Sequence, residues 1–211
     1  MQDQQQDSSE IPYRQIRAQY DEKTIRVYQA YSDLIADAAL AKGTFSSPPF
    51  KMDRMTWIKP SFLWMMYRAG WGLKDAGQAR ILAIDMSREG FEWALAHSCL
   101  SHPEESMTQD EWQCLKENAP VRVQWDPERD LLLQPLAHRA IQVGLGKQAV
   151  DLYVREWVQR ITDVTPLAHR IHAQVVLGNF EAAQALLPAE QAYCPADADL
   201  HHDRLRNKSP A

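Results

Sequence analysis

The segment Arg54-Met-Thr-Trp-Ile-Lys-Pro-Ser-Phe-Leu-Trp-Met-Met-Tyr-Arg68 restricts the folds open to this chain more than any other. Residues 55–58 form a short run of β-formers, and bulky apolar side chains then recur at helical spacing. Pro60 stands between them; with its fixed φ and no N–H it suits the first turn of a helix. The segment predicts a strand running into a helix, with Phe62, Met65, Met66 and Ala69 on one stripe. Trp64, Tyr67, Arg68 and Trp71 lie around the other faces. Aromatic surface on several faces calls for deep burial, or for burial combined with a ligand surface. Thr56, Lys59, Ser61 and Arg68 are more polarity than a core requires.

Flanking patterns set the class. Residues 16–20 and 24–31 alternate with period two around Asp21-Glu-Lys23, which predicts a hairpin. In the second run Ile25, Val27, Gln29 and Tyr31 share a face, so Gln29 needs a polar partner among apolar neighbours. Ser32 and Gly43 bracket a helix over 33–42 whose apolar side is Leu34, Ile35, Ala38 and Ala39. Residues 80–85 read as a buried strand, followed by a helix that Ser87 caps and that carries Phe91, Ala94, Leu95 and Ser98. Thr108-Gln-Asp-Glu111 is a capping box opening a helix that ends before Pro120. Residues 121–125 and 140–145 alternate as strands, with a turn over 126–130. From Val150 to Ile161 the apolar residues keep a 3.6 period, predicting a helix. Thr165-Pro166 starts another, Gly178 ends it, and Asn179 caps a third.

Strands mixed with helices and then a helical close predict an α+β protein. We expect a small central, mainly antiparallel sheet with flanking helices and a C-terminal helical annex over 146–187. Residues 1–10 read as a flexible lead, 11–193 as one domain and 194–211 as a polar tail. A chain of 211 residues, 45% hydrophobic and 24% charged, suits one well-filled domain.

The formal charge of −5 gives no global pull toward nucleic acid or an anionic membrane. Locally, Lys51, Arg54, Lys59, Arg68, Lys74, Arg80 and Arg88 outnumber the nearby acids. Cysteines 99, 114 and 194 offer no CxxC pair and no disulfide framework. With no secretory signal and no membrane-length apolar run, the expected location is cytoplasmic.

Dinucleotide, P-loop and esterase signatures are missing. His169 and His172 share a helix face, but no third ligand accompanies them, and His97, Cys99 and His102 form only a loose cluster, so no metal site is expected. Asp126 and Glu128 follow a strand end, where catalytic acids occur, although a charged turn is the commoner meaning of such a stretch. The best functional odds fall on 54–71. Lys59 and Arg68 can neutralise phosphate, Ser61 and Thr56 can donate hydrogen bonds, and Trp57 or Trp64 can stack on a base. A helix beginning near Pro60 would also point free N–H groups at an anion. Equally, the aromatics could all be core and the cations rim.

Residues 16–20, 27–32, 54–68, 89–93, 140–145 and 163–165 together resemble domain of unknown function family 4291, over about residues 11–193. That likeness implies no established activity. The chain also resembles the ADP-ribosyltransferase fold. Val27-Tyr-Gln-Ala-Tyr31, the following helix and Gly43 look like its first element, with Gln29 where His or Arg is usual. Thr56-Trp-Ile-Lys-Pro-Ser61 looks like the second. Gln142 sits where the late strand carries glutamate, and Glu128 is the nearest carboxylate.

This second resemblance implies an NAD-using site in which nicotinamide leaves through an oxocarbenium-like transition state. Arg17, Lys59 and Arg68 would meet phosphates, Gln29, Thr56 and Ser61 the ribose or amide, and Tyr31 and Trp57 a ring. Gln29, Glu128 and Gln142 would be the catalytic set, with Glu128 as acid/base, since Gln142 cannot act as a base. The acceptor would be a nucleic acid or a protein. Two rival expectations are a non-enzymatic module binding single-stranded RNA or DNA through 57–71, and an interaction domain with no ligand site.

Overall fold

The computed structural model describes residues 11–103 and 107–196; the expected flexible lead and most of the polar tail lie outside them. The chain opens with β1 (Arg17–Ala18), β2 (Thr24–Tyr31), α1 (Asp33–Lys42), β3 (Thr56–Ile58) and α2 (Phe62–Ala69). Next come β4 (Arg80–Ser87), α3 (Arg88–Ala96), β5 (Ser98–Leu100), α4 (Gln109–Asn118), β6 (Val121–Arg129) and β7 (Pro135–Leu145). It closes with α5 (Gln148–Leu152), β8 (Val158–Asp163), α6 (Thr165–Val176), α7 (Phe180–Leu186) and β9 (Gln191–Ala192). The class is α+β with mainly antiparallel sheets, as expected.

Two sheets carry the architecture, in the orders β2-β4-β8 and β3-β7-β6-β5. The β5–β6 pair is parallel and the other pairs in these two sheets are antiparallel. An isolated bridge stitches the sheets together: Tyr28 donates its N–H to the Lys59 carbonyl at 2.8 Å and accepts the Lys59 N–H at 3.3 Å. On one side of this stitch β2 and β3 both contribute to a hollow.

Apolar packing explains why β4 reads as an unbroken hydrophobic run. Leu82, Ile84 and Met86 enter one cluster with Val27, Val143 and Tyr153, while Ile81 and Ala83 enter a second with Tyr28, Phe62, Met66 and Ile171. A strand covered on both faces has no solvated side to make polar. Each such side chain, fully buried, contributes about 1.5–3 kcal/mol. In α3, Gly90 is needed for close approach: a Cβ there would sit 2.3 Å from Trp157 Cγ.

Several expectations are corrected. The early hairpin is reduced to a turn: Asp21 Oδ1 accepts N–H groups of Lys23 and Thr24 at 2.8 and 2.7 Å, and Tyr20 bridges Ile25. β1 instead pairs with β9, a partner far along the chain. The turn expected over 126–130 is strand. β6 runs through Arg129 with a register shift between Pro127 and Arg129, which accommodates the proline's missing donor, and the chain turns over 130–134. The helix expected from Val150 stops early. After a π-turn over Tyr153–Trp157 the chain becomes β8, whose Val158-Gln-Arg-Ile-Thr162 pairs along the edge of β4 with a register shift at Asp85–Met86. Leu34 is 71% exposed, and α1 buries Ala36 and Ala39. Ser61, not Pro60, begins α2: its hydroxyl accepts the Trp64 N–H at 3.1 Å. Ser98 lies in β5 rather than on α3.

Candidate functional site

Side chains at the junction of the two sheets line two separate hollows. The larger, about 360 Å³, receives Gln29 and Tyr31 from β2, Thr56 and Trp57 from β3, Lys59 from the stitch and Arg68 from α2. The smaller, about 120 Å³, receives Arg17, Ser61 and Glu128. Gln142 lines neither. It donates to Asp126 Oδ2 at 2.6 Å, and Gln124 donates to Asp126 Oδ1 at 2.8 Å. The ten candidate residues are thus divided, because α2 starts toward the smaller hollow while β3 lines the larger.

A closed polar chain forms one wall of the larger hollow. Tyr153 donates its O–H to Gln29 Oε1 at 2.9 Å. The Gln29 amide then donates to Thr56 Oγ1 at 2.7 Å and to the Trp57 carbonyl at 3.1 Å. The Tyr31 hydroxyl meets Thr56 Oγ1 at 2.9 Å. Gln29 therefore has both amide donors and one lone pair of its carbonyl engaged, which fixes its amide orientation. Burial pushes the phenols of Tyr31 and Tyr153 above their ordinary range, so both remain neutral.

Lys59 is different. It is 5% exposed, and its Nζ has one long hydrogen bond, 3.4 Å to the Trp57 carbonyl. The ammonium lies 5.3 Å from the Trp64 ring centroid, a modest attraction. Among the described residues no carboxylate pairs with it. Burial, and then the Arg68 charge, push its pKa down to about 7, against the pull of Asp126. Lys51, Arg54 and Arg68 also line the hollow, and the lining contains no Asp or Glu. A buried amine without an acid, under a cationic rim, makes the space receptive to anions.

The smaller hollow mixes charges, with Glu128 and Glu190 beside Arg17 and Arg129. Ser61 donates to Glu128 Oε1 at 2.8 Å, and that oxygen also accepts the Arg129 N–H at 2.8 Å. Glu190, which sequence reasoning missed, accepts the Phe62 N–H at 2.7 Å. The free helix-start N–H expected to wait for an outside anion is thus filled by the chain's own carboxyl. Arg17 donates to the Glu190 carbonyl at 3.1 Å. Burial raises the pKa of Glu128; burial and the Glu128 charge lift Glu190 to about 8, opposed by the Phe62 N–H. Glu190 lies 129 positions after Ser61 in an aperiodic stretch, so no local signal could have found it.

The expected stacking surface is mostly closed. Trp64 and Trp71 are buried, and only Trp57 of the three tryptophans is part-exposed. His172 stacks on Trp71 with ring centroids 5.4 Å apart. Among the described residues no group of three or more His, Cys, Asp or Glu could hold a metal, and no helix is long and apolar enough to cross a membrane.

Fold and site together define an α+β protein with a cation-lined hollow where two mainly antiparallel sheets are stitched. The chain belongs to the family described as Domain of unknown function (DUF4291), which matches residues 15–193 and so takes in both hollows. No curated protein and no solved structure matches it.

Proposed function

We propose that the protein is ADP-ribosyltransferase-like and binds NAD or a related nucleotide in the larger hollow. The observation that carries this reading is Lys59, a buried amine with no acidic partner among the described residues, facing a space whose other charges are Arg54, Arg68 and Lys51. Phosphate supplies the missing negative charge, and a charge-assisted hydrogen bond to it is about twice as strong as a neutral one. Trp57, part-exposed beside the amine, offers a face for a ring. A hollow of about 360 Å³ falls within the range of small-molecule sites. Transfer of ADP-ribose also calls for a carboxylate at the ribose. Glu128 opens on the smaller hollow and Gln142 is held by Asp126, so the cationic lining favours binding of the nucleotide rather than the transfer step.

Thermal shift tests it. NAD, ATP, inorganic phosphate and a short single-stranded oligonucleotide are titrated separately. A ligand at a hundred times its Kd stabilises by about 2.7 kcal/mol. The expected result is a rise in Tm with NAD or ATP that is lost in the double variant Arg54→Ala, Arg68→Ala. No response to any phosphate-bearing ligand refutes the reading, and a response to the oligonucleotide alone replaces it with single-strand binding.

A further inference from the structure

We propose that Lys59 is a covalent nucleophile: its amine condenses with the carbonyl of a phosphate-bearing aldehyde held in the larger hollow, forming an imine. The inference deepens the nucleotide reading, because the same cationic rim holds the phosphate.

Four observations carry it. Lys59 lines the hollow and keeps 5% of its surface exposed, so a carbonyl entering that space comes up against this residue. Its one hydrogen bond, to the Trp57 carbonyl at 3.4 Å, anchors a single N–H and leaves the rest of the amine unengaged. No carboxylate among the described residues pairs with it to hold it protonated, and Arg68 repels that proton. Asp126 is the opposing charge, itself engaged by Gln124 and Gln142. Arg54, Arg68 and Lys51 stand at the same hollow to take the phosphate. The lowered pKa of about 7 agrees with this geometry. At pH 7 about half of such amines are free, against about one in 2,500 for an ordinary lysine. A desolvated lysine near other cations is a recognised way to activate this nucleophile.

The reaction balances without a redox partner. The nitrogen lone pair adds to the carbonyl carbon, and the former carbonyl oxygen takes a proton to become a hydroxyl. Nitrogen gives up both of its protons through solvent, one to make that hydroxyl and the second to turn it into departing water, and the carbon–nitrogen double bond forms.

The probe is pyridoxal 5′-phosphate with the full chain at pH 7, followed by borohydride reduction and peptide mass mapping. We expect a reduced adduct on Lys59 forming on the order of tenfold faster than on exposed Lys42, a smaller margin than the free-amine ratio because a weaker base is a weaker nucleophile. The adduct disappears in Lys59→Met and in Lys59→Arg, whose folding is checked by thermal melting. Inorganic phosphate slows labelling of the unaltered protein, a readout that needs no variant. Labelling spread evenly over surface lysines, or unchanged in Lys59→Met, overturns the inference. An adduct on Lys59 with no NAD or ATP thermal shift supports the inference and removes the nucleotide reading. A nucleotide shift with no Lys59 adduct does the reverse.

Discussion

Replacing Lys59 with Met should stabilise the protein, and the gain should depend on pH. The folded-state pKa of about 7 lies below the ordinary lysine value near 10.4. Between those values the unfolded chain holds a proton that the folded chain has released, so the stability of the unaltered protein rises with pH. Below pH 7 both states are protonated and the cost of burying the charge is complete, on the order of 5 kcal/mol. Over the window from pH 8 to 10 the difference between parent and variant isolates this group. Glu190, with a folded pKa of about 8, is half ionised at pH 8 and the tyrosines of the unfolded chain begin to ionise near pH 10, but both do so alike in the two proteins and cancel. Across it Lys59 should raise stability by about 2.5 kcal/mol. Met roughly conserves the volume and removes the ammonium. Allowing about 1 kcal/mol for the lost contacts to Trp57 and Trp64, the net gain at pH 8 should be about 2 kcal/mol and should shrink toward pH 10. Urea unfolding of both proteins at pH 8, 9 and 10 measures it. A variant less stable than the parent at pH 8, or parallel pH profiles for the two, refutes the claim that this amine is buried without a counter-charge.

Three further outcomes follow from the packing and hydrogen bonds. Gly90→Ala should lower the urea midpoint by the equivalent of about 1–3 kcal/mol, because the new methyl meets the Trp157 ring at 2.3 Å. Gln29→Ala leaves Tyr153 Oη without its partner and Thr56 Oγ1 with only the Tyr31 hydroxyl, and should cost about 1–3 kcal/mol by the same measurement. For Glu190→Gln, the raised folded pKa means the native state of the parent holds the extra proton. The parent should therefore lose stability from pH 5 to pH 8 relative to the variant, whose difference from it widens over that window in thermal melts.

Much of the fold was legible because its signals are local. The Thr108 capping box, the Ser87 cap and the β2 and β7 alternations each depend on neighbours within a few residues. The misses have the opposite character. Val158–Asp163 carries residues compatible with helix or strand, and the free edge of β4, far away in sequence, decides between them. Pro127 looks like turn chemistry, yet a register shift lets a strand carry it. In the site, Lys59 could be recognised as polarity in an apolar run, and Gln29 as an amide needing partners. That Arg17, Ser61 and Glu128 would fall on the far side of α2's start depends on packing geometry, which residue spacing does not encode.

The pairing of Arg17–Ala18 with Gln191–Ala192 has a consequence for how the molecule is completed. Glu190 and Tyr193 emerge from synthesis long after the sheets they close against. Tyr193 inserts between Tyr20 and Phe91, and its N–H reaches the Ile16 carbonyl at 2.8 Å. A nascent chain halted before Pro188 would leave the Phe62 amide unsatisfied and the β1 edge bare. The final nine described residues, 188–196, therefore act as a latch on the nearly finished domain, and trimming them should expose sticky backbone long before it disturbs the larger hollow.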